Sequence, residues 1–367
     1  MMKLKIVADE NIPLLQEAFG EFGTITTYAG RDIGPDEVRE ADILLVRSVT
    51  HVNAALLAQS RVRWVASATA GIDHVEVDWL KAMGIGFAHA PGSNAQSVVE
   101  YVLAGLITHA HRTKAVLRGK TAGIVGYGNI GRRLAPRLAA LGMSVVVHDP
   151  PLVRMQPDAI PYPILGLTEL LAASDVVTFH VPLTKLGEDA TWHMLNADNI
   201  NHLKAGVWLV QASRGGVVDE GVVVPARQSG LLGGLILDVW EGEPQPSPMA
   251  VQAADIATPH IAGYGYDAKI EGTRMILEAF GAHFGVAVPA LPTPSPPNPC
   301  QMPASSLPEM ERLFRLIQQV YPIQEDDQRF RVLLKQPIEA RPAYFHQLRK
   351  QYPKRYGFEA YRPELGL

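Results

Sequence analysis

The sequence lacks most features of a metal-rich, disulfide-bonded or membrane-bound protein. It has one cysteine, Cys300, in 367 residues, which excludes an internal disulfide and a cysteine-based zinc cluster. The longest apolar run, residues 97–110, is interrupted by Glu100 and is shorter than the roughly 18 residues that span a bilayer. The opening residues MMKLKIVADENIP carry acidic side chains, unlike a signal peptide. We therefore expect a cytoplasmic protein with no membrane partner.

A strong charge of either sign is also absent. The chain has 33 basic and 37 acidic residues and a formal net charge of −4, which gives no field for capturing nucleic acid. We expect a small-molecule partner and no nucleic acid. Hydrophobic residues make up 47% of the chain, which at this length is enough for the cores of two or three domains.

Short apolar runs alternate with segments of helical spacing through most of the chain. This alternation predicts parallel sheets covered by helices on both faces. We therefore predict an α/β protein with two Rossmann-like or flavodoxin-like parallel-sheet domains and a small α+β C-terminal domain. The predicted strands are residues 4–8, 42–48, 62–68 and 85–90, followed by 121–126, 144–149, 176–181, 206–212, 234–240 and 255–260.

A proline-rich stretch marks the last domain boundary. Eight prolines stand between residues 289 and 308, and because proline lacks a backbone donor they predict a stiff connector. The C-terminal segment, residues 309–367, has eleven basic and eight acidic residues and five tyrosines. Aromatic residues among lysine and arginine can stack on bases, but the mild charge favours an oligomerisation module. The predicted domains are a substrate-binding lid at 1–93, completed by about 262–287, a nucleotide-binding domain at 94–261, a linker at 288–308 and a dimerisation domain at 309–367.

The segment TAGIVGYGNIGRRLAPRLAALG has the pattern of a strand, a glycine-rich turn and a helix. Its glycines would allow a tight turn, close approach to a pyrophosphate and tight helix packing. Asp149 ends the next predicted strand, where a carboxylate can accept from ribose hydroxyls and would repel a 2′-phosphate. The pattern therefore predicts NAD rather than NADP, although Pro136 should kink the helix. The predicted contacts in the turn are Gly126, Gly128, Asn129, Ile130 and Gly131.

Four charged or titratable residues stand at the predicted ends of the second set of strands, where open parallel sheets bind substrates. They are Arg214, Asp238, Glu243 and His260. Singly, each has an ordinary explanation: a surface charge, a helix cap, a loop acid or a core histidine. Together they supply what hydride transfer from a 2-hydroxy acid requires, namely a cation for the carboxylate and developing carbonyl, a base for the hydroxyl proton, and an acid to orient that base. We expect no metal.

The motifs GYGNIG…HDP, ASRGGVVDE, LDVWEGEP and PHIAGYG resemble those of the NAD-dependent D-isomer-specific 2-hydroxyacid dehydrogenases. The resemblance implies that Arg214 binds the substrate carboxylate and C2 oxygen, and that His260 takes the C2 hydroxyl proton as hydride leaves for NAD. It implies that Glu243 holds the tautomer of His260, that Asp238 binds the nicotinamide carboxamide, and that Gly263 passes close to the cofactor. The fold and NAD use of that family are therefore expected here.

Within that family, the C-terminal segment and the VRSVT motif resemble members whose substrate is a phosphorylated hydroxy acid. The resemblance implies a homodimer formed through the C-terminal segment, and substrate contacts from Ser48, Thr69 and Tyr264. The VRSVT motif also offers Arg47 and Thr50, and arginine and hydroxyl groups suit phosphate oxygens. We expect the lid to close over the substrate and exclude water.

Two other functions fit parts of the same sequence. Phosphoglycerate dehydrogenases and hydroxypyruvate reductases use the same catalytic residues. The C-terminal segment is the feature that separates this chain from them, because they carry a different appendage or none. An NADH-sensing, corepressor-like binding protein would share the fold but would need an exposed peptide-binding groove, for which the sequence shows no signature. One departure from the family pattern is Gly216, where related sequences often carry alanine.

Overall fold

The computed structural model describes residues 3–296 and 298–361. Within them, the first compact unit runs to Ala95 and resumes at Tyr264–Ser295, and the second comprises Gln96–Gly263 and continues from Pro296. The division into a lid, a nucleotide-binding domain, a linker and a separate dimerisation domain stays a prediction.

The first unit is built on a five-stranded parallel sheet. Alternate residues of its strands enter two hydrophobic clusters, one on each face, as the two-residue period of a strand requires; Ile43 and Leu45 lie in one, Leu44 and Val46 in the other. The strand order is β2–β1–β3–β4–β5. The strands are β1 (Leu4–Asp9), β2 (Gly23–Tyr28), β3 (Ile43–Val46), β4 (Trp64–Ser67) and β5 (Gly86–His89).

Four of these strands were predicted, and β2 was missed. Its sequence GTITTY is threonine-rich, none of its residues is fully buried, and it pairs only at the sheet edge. An edge strand of this kind lacks the apolar run that identified its neighbours. Because β3 and β4 are adjacent and parallel, with Val46 opposite Ser67, the residues that follow them lie at the same edge of the sheet.

The second unit is built on a six-stranded parallel sheet, which confirms the predicted α/β class. All six strands were predicted, but the last is shorter than expected because the chain turns after Ala257. The order is β7–β6–β8–β9–β10–β11, so that the direction of winding changes between β6 and β8. The strands are β6 (Thr121–Val125), β7 (Ser144–His148), β8 (Val176–Phe179), β9 (Val207–Gln211), β10 (Leu232–Leu237) and β11 (Ile256–Ala257).

Helices cover both sheets. No helix among the described residues is both long and apolar enough to cross a membrane. The α-helices are α1 (Leu15–Phe19), α2 (Pro35–Val38), α3 (Ala54–Leu57), α4 (Val77–Ala82), α5 (Ala95–Thr113), α6 (Gly131–Ala140), α7 (Pro150–Met155), α8 (Leu167–Ala173), α9 (Glu220–Gln228), α10 (Pro248–Ala253), α11 (Tyr266–Phe284), α12 (Glu309–Val320), α13 (Ile323–Arg331), α14 (Arg341–Lys350) and α15 (Phe358–Tyr361). Short 3₁₀ turns lie at Gly30–Asp32, Ile200–His202, Val332–Lys335 and Ile338–Ala340.

The described part of the C-terminal segment is helical. Between α11 and α12 the described residues form neither helix nor strand. Tyr321 and Phe358 join the hydrophobic cluster on one face of the second sheet, and Phe330 and Phe345 join the cluster on the other. We predicted an α+β arrangement here, but residues 309–361 contain no strand. The apolar residues of α12 recur at helical spacing, which favours the observed helix.

Candidate active site

The glycine-rich turn between β6 and α6, residues 126–131, is the segment in which the sequence predicts the cofactor contacts, and it is named the cofactor turn. Gly126 has a φ of 95°, a region that side chains disfavour. A Cβ on Gly131 would lie 2.2 Å from the carbonyl oxygen of Gly126, so the helix can start against the turn only without a side chain. At Gly128 a Cβ would meet nothing within 4 Å, which leaves open space beside the backbone. These residues fit a dinucleotide, because a pyrophosphate needs close approach to the backbone at a helix N-terminus.

The helix that follows the cofactor turn is not interrupted by its proline. α6 continues through Pro136 to Ala140, and the kink expected at this proline stays a prediction. Pro136 lies on the exposed face, and Leu134 and Leu138 are buried on the opposite face. The bond that proline removes is therefore lost on the solvent side.

Asp149 lies beside the cofactor turn at the end of β7. One carboxylate oxygen accepts from the Tyr127 amide at 2.7 Å, and the other accepts from the Leu152 amide at 3.0 Å and caps α7. A carboxylate has about four acceptor positions, so capacity remains for ribose hydroxyls. Its negative charge at this position disfavours a 2′-phosphate.

Arg214 follows β9 in a loop that the end of that strand holds in place. The Gln211 side chain donates to the Arg214 carbonyl at 3.1 Å and accepts from the Ser213 amide and hydroxyl at 3.2 and 2.9 Å. A Cβ on Gly215 would lie 1.9 Å from the carbonyl oxygen of Trp240, which follows β10. The loop can therefore pack against this residue only if residue 215 is glycine. The cation predicted to bind the substrate carboxylate therefore lies on a fixed backbone.

Gly216, the departure from the family pattern, lies against a large aromatic side chain. Its φ is 83°, and a Cβ would lie 2.4 Å from the ring of Trp192. Trp192 is 41% exposed, and the Lys185 ammonium lies 4.8 Å from its ring centroid. Alanine at residue 216 would displace Trp192, which accounts for glycine in this chain.

His260 and Glu243 form a hydrogen-bonded pair. Nδ1 of His260 lies 2.8 Å from one oxygen of Glu243, whose other oxygen accepts from the Trp240 amide at 2.9 Å. Burial raises the pKa of Glu243, but the His260 ring and the Trp240 amide outweigh it, so the pKa lies below its usual value. A carboxylate at Nδ1 makes that nitrogen the donor and leaves Nε2 as the proton acceptor. This is the arrangement of a general base and the acid that orients it.

The catalytic turn, residues 257–262, carries His260 in a strained backbone conformation. His260 has a φ of 57°, which costs a residue other than glycine about 1–3 kcal/mol. Asp238, which follows β10, holds the turn through backbone hydrogen bonds. The Asp238 carbonyl accepts from the His260 amide at 2.7 Å, and its two carboxylate oxygens accept from the amides of Ile261 and Ala262, each at 2.8 Å.

Asp238 is completely buried under this turn, and burial raises its pKa. The Thr258 hydroxyl also donates to it at 2.6 Å and lies 2.8 Å from the Tyr101 hydroxyl. The position of Asp238 at the strand end was predicted, but Thr258 and Tyr101 were missed, because no spacing rule links residues so far apart. Contact of Asp238 with a nicotinamide carboxamide, and close passage of Gly263, remain predictions.

An acidic cluster next to the catalytic pair was also missed. The Glu220 carboxylate accepts from the Glu241 amide at 2.7 Å, and the Glu241 carboxylate accepts from the Glu220 amide at 3.0 Å. Burial raises the pKa of Glu220 to about 7, and the charges of Glu241 and Glu243 act in the same direction. His193 lies 3.2 Å from Glu241 and 3.6 Å from Asp219 and bridges the two acids. The only sequence signal was the acid-rich VVDE and WEGE motifs.

The substrate-binding residues predicted in the first unit follow β3 and β4. Nε of Arg47 lies 3.5 Å from the buried carboxylate of Asp9, and Ser48 next to it is exposed. The Thr69 hydroxyl donates to the Gly71 carbonyl at 3.0 Å and lies 2.7 Å from that of Ser67. These residues therefore share one edge of the first sheet.

Two further residues of the first unit, Thr50 and Tyr264, were also predicted to contact the substrate. The Thr50 hydroxyl is buried and donates to the Gly30 carbonyl at 2.7 Å, so it serves the local fold. Tyr264 is partly buried, and the Lys269 ammonium lies 5.0 Å from its ring centroid.

Comparison with known proteins identifies the class. Residues 91–262 match the model of the D-isomer specific 2-hydroxyacid dehydrogenase NAD binding domain, and residues 294–365 match a domain of unknown function. The solved D-lactate dehydrogenase of Aquifex aeolicus, complexed with NAD and lactic acid, has a TM-score of 0.62 and 26% identity over 77% of this chain and 95% of its own. The TT0316 protein of Thermus thermophilus has a TM-score of 0.68 and 26% identity over 78% and 100%. The class is thus that of NAD-dependent oxidoreductases acting on D-2-hydroxy acids, and NAD is confirmed as the cofactor.

Relatives along the whole chain define the branch within that class. A protein from Salinibacter ruber named erythronate-4-phosphate dehydrogenase is 45% identical over 97% of this chain and 92% of its own length. One of the same name from Pseudomonas fluorescens is 42% identical over 98% and 94%. The chain belongs to the erythronate-4-phosphate dehydrogenase family. These relatives do not favour either alternative function.

Proposed function

We propose that the protein oxidises 4-phospho-D-erythronate to 3-hydroxy-2-oxo-4-phosphobutanoate, a step of pyridoxal 5′-phosphate biosynthesis. The observation that carries this proposal is the 2.8 Å contact between His260 and Glu243, in the same unit as Arg214 and a dinucleotide turn. The relatives' name supplies the substrate. When bound, NAD supplies the acceptor for the hydride that leaves C2.

The residues of the second unit have distinct roles in this proposal. Nε2 of His260 removes the proton of the C2 hydroxyl, and Glu243 at Nδ1 stabilises the imidazolium that results. Arg214 binds the substrate carboxylate and the C2 oxygen, whose charge it stabilises as the carbonyl forms. Asp238 and Gly263 remain proposed cofactor contacts.

We assign the substrate phosphate to Arg47 and Ser48, with further contacts from Thr69 and Tyr264. The 3.5 Å contact with buried Asp9 supports this assignment, because it orients the Arg47 guanidinium while its other nitrogens can donate to phosphate. The test compares Arg47→Ala on 4-phospho-D-erythronate and on unphosphorylated D-erythronate. KM should rise for the phosphorylated compound and change much less for the other. An equal change for both would remove Arg47 from the phosphate site.

A cytoplasmic homodimer completes the proposal. Support for the dimer comes from the C-terminal segment, which carries five tyrosines. Its presence is a feature of the family, because the alignment with the Salinibacter ruber relative covers 97% of this chain. Sedimentation of the intact protein should give twice the mass of one chain. A single-chain mass would refute the dimer without affecting the proposed reaction.

The substrate assignment is tested by comparing kcat/KM for 4-phospho-D-erythronate and 3-phosphoglycerate under anaerobic conditions, with NAD and with or without a 2-oxo acid acceptor. The first substrate should be preferred by about tenfold or more, since a site built for one set of polar groups rejects an analogue that lacks them. Preference for 3-phosphoglycerate would reassign the protein within its class. Turnover without added NAD would show that the cofactor is retained during purification.

A further inference from the structure

The catalytic turn is bonded at both ends to the C-terminal segment. At its start, the Ala257 amide donates to Asp327 of α13 at 2.7 Å. Asp327 is itself held by Nε of Arg331 at 2.9 and 3.0 Å. The same arginine donates to the carbonyls of Val251 and Ala254, at 2.8 and 2.6 Å, so α13 is bonded to the C-terminal end of α10, which precedes β11.

At the other end, the Ala262 carbonyl accepts from Arg355 at 2.8 Å and from the Ser97 hydroxyl at 2.8 Å. Arg355 also donates to that hydroxyl at 2.5 Å. Its side chain is buried, and its guanidinium lies 3.9 Å from the ring centroid of Tyr321. Buried arginines are rare unless specific partners hold them, so this side chain has a defined place.

The outer face of the turn also meets the C-terminal segment. Trp240 donates from its ring nitrogen to the Thr258 carbonyl at 2.9 Å and packs on Phe330 with 5.4 Å between ring centroids. Pro259 and Ile261, on either side of His260, line a cavity of about 430 Å³ together with residues of α13 and α14. The turn therefore lies between Asp238 on one side and the C-terminal segment on the other.

We propose that Arg355 is a positioning residue for His260, acting through the Ala262 carbonyl within a single chain. Ala262 is held at its amide by Asp238 and at its carbonyl by Arg355 and Ser97, so the peptide groups on both sides of its Cα are fixed. A left-handed residue persists only where its surroundings over-determine the backbone. Removing Arg355 leaves Ser97 as the only side-chain donor to the Ala262 carbonyl in the described structure, so this end of the turn loosens and His260 shifts relative to Glu243. The C-terminal segment is then a part of the active site, separate from any role in subunit association.

The kinetic test uses Arg355→Ala in the full-length protein, with 4-phospho-D-erythronate as substrate, and therefore rests on the proposed function. We expect kcat to fall by about 10–100-fold, the cost of a small misplacement of a reacting group, while KM changes by less than about threefold. NADH binding and the sedimentation mass should stay as in the wild type. Millimolar guanidinium, against an equal concentration of sodium chloride, should restore part of kcat by occupying the site over Tyr321. Lys354→Gln, an exposed neighbouring cation, is the matched control and should keep wild-type kcat.

An activity-independent measurement tests the same inference if the substrate assignment fails. Amide hydrogen exchange at residues 261 and 262 of the free protein should be about tenfold faster in Arg355→Ala than in the wild type, because the turn opens more often. Wild-type protein that does not turn over 4-phospho-D-erythronate would overturn the proposed function and leave this readout intact. Wild-type exchange and kcat in Arg355→Ala would overturn the positioning role.

Milder variants keep the test decisive if Arg355→Ala does not fold. Ser97→Ala removes one donor to the Ala262 carbonyl and leaves no buried charge unpaired, so kcat should fall by a smaller factor and exchange should quicken. Arg355→Lys should lie between the wild type and the alanine variant. Unchanged kcat and exchange in both variants would contradict the proposal. Loss of activity together with the dimer, without guanidinium rescue, would assign Arg355 to assembly instead.

Discussion

The cofactor turn and the catalytic turn both follow strands of the second sheet, but they are held in different ways. In the cofactor turn the glycine restraints are contiguous in sequence: the φ of Gly126 and the close approach of Gly131 to it lie within six residues, and Asp149 after the next strand adds a bond to the Tyr127 amide. The catalytic turn is held by partners far along the chain, with Asp238 below it and Asp327 and Arg355 at its ends. A turn defined by glycines is a local property, whereas a strained histidine depends on the whole unit.

The largest effect is expected from His260→Ala, which removes the chemistry of the catalytic turn and leaves the cofactor turn intact. Because a general base contributes about 10²–10⁴-fold, kcat should fall by that factor. The dissociation constant for NADH, followed by its fluorescence, should stay within about threefold of the wild type. Strong loss of NADH binding would show that the two turns are not independent.

The paired variants Gly131→Ala and Gly128→Ala separate packing from cofactor contact in the cofactor turn. At residue 131 the new Cβ meets the backbone at 2.2 Å, so we expect the free protein to lose about 1–3 kcal/mol of stability. At residue 128 it meets nothing within 4 Å, so Tm without cofactor should stay unchanged while the Kd for NADH rises by about tenfold or more. Thermal unfolding and NADH titration of both variants provide the check.

Equal thermal destabilisation by the two substitutions, or unchanged NADH binding in Gly128→Ala, would contradict this assignment of the open space beside Gly128.

The acidic cluster beside the catalytic turn predicts a pH dependence of stability. The pKa of Glu220 is raised from 4.5 to about 7, so the folded protein binds this proton more tightly than the unfolded chain. The stability that this proton contributes to the folded state is therefore fully present below pH 4.5 and is lost as pH rises through about 7. Glu220→Gln keeps the acceptor for the Glu241 amide but has no proton to lose. As pH rises from 4.5 to about 7, its Tm should therefore fall less than that of the wild type. Parallel Tm curves would exclude Glu220 as the titrating group.

The smallest effect is expected from Gly216→Ala, compared with Gly187→Ala as its control. Both glycines have positive φ, 83° and 96°, so each alanine should cost about 1 kcal/mol through the backbone. A Cβ at residue 187 meets nothing, whereas one at residue 216 meets the Trp192 ring. Gly216→Ala should therefore lose more stability and alter tryptophan fluorescence. Equal loss of stability and unchanged tryptophan fluorescence in both variants would show that the Trp192 ring moves aside without destabilising the protein.

The same contrast explains what the sequence could predict. The ten strands with apolar runs and the glycine turn were readable because their determinants are local. The motifs and strand ends singled out Arg214, Glu243 and His260, whose roles stay predictions. Strand β2 was missed because it is polar and lies at an edge, and the helical spacing in α12 was overlooked when an α+β C-terminal segment was predicted. The contact between Ser97 and Arg355 spans 258 residues, so it depends on the folded arrangement of the second unit.

The most direct test of the account is absorbance at 340 nm after wild-type protein and His260→Ala are each mixed anaerobically with NAD and 4-phospho-D-erythronate. We expect a rise with the wild type and a rise at least about 100-fold slower with the variant, with both proteins binding NADH. No rise with wild-type protein that binds NADH would contradict the proposed reaction, and an equal rise with both proteins would contradict the role of His260.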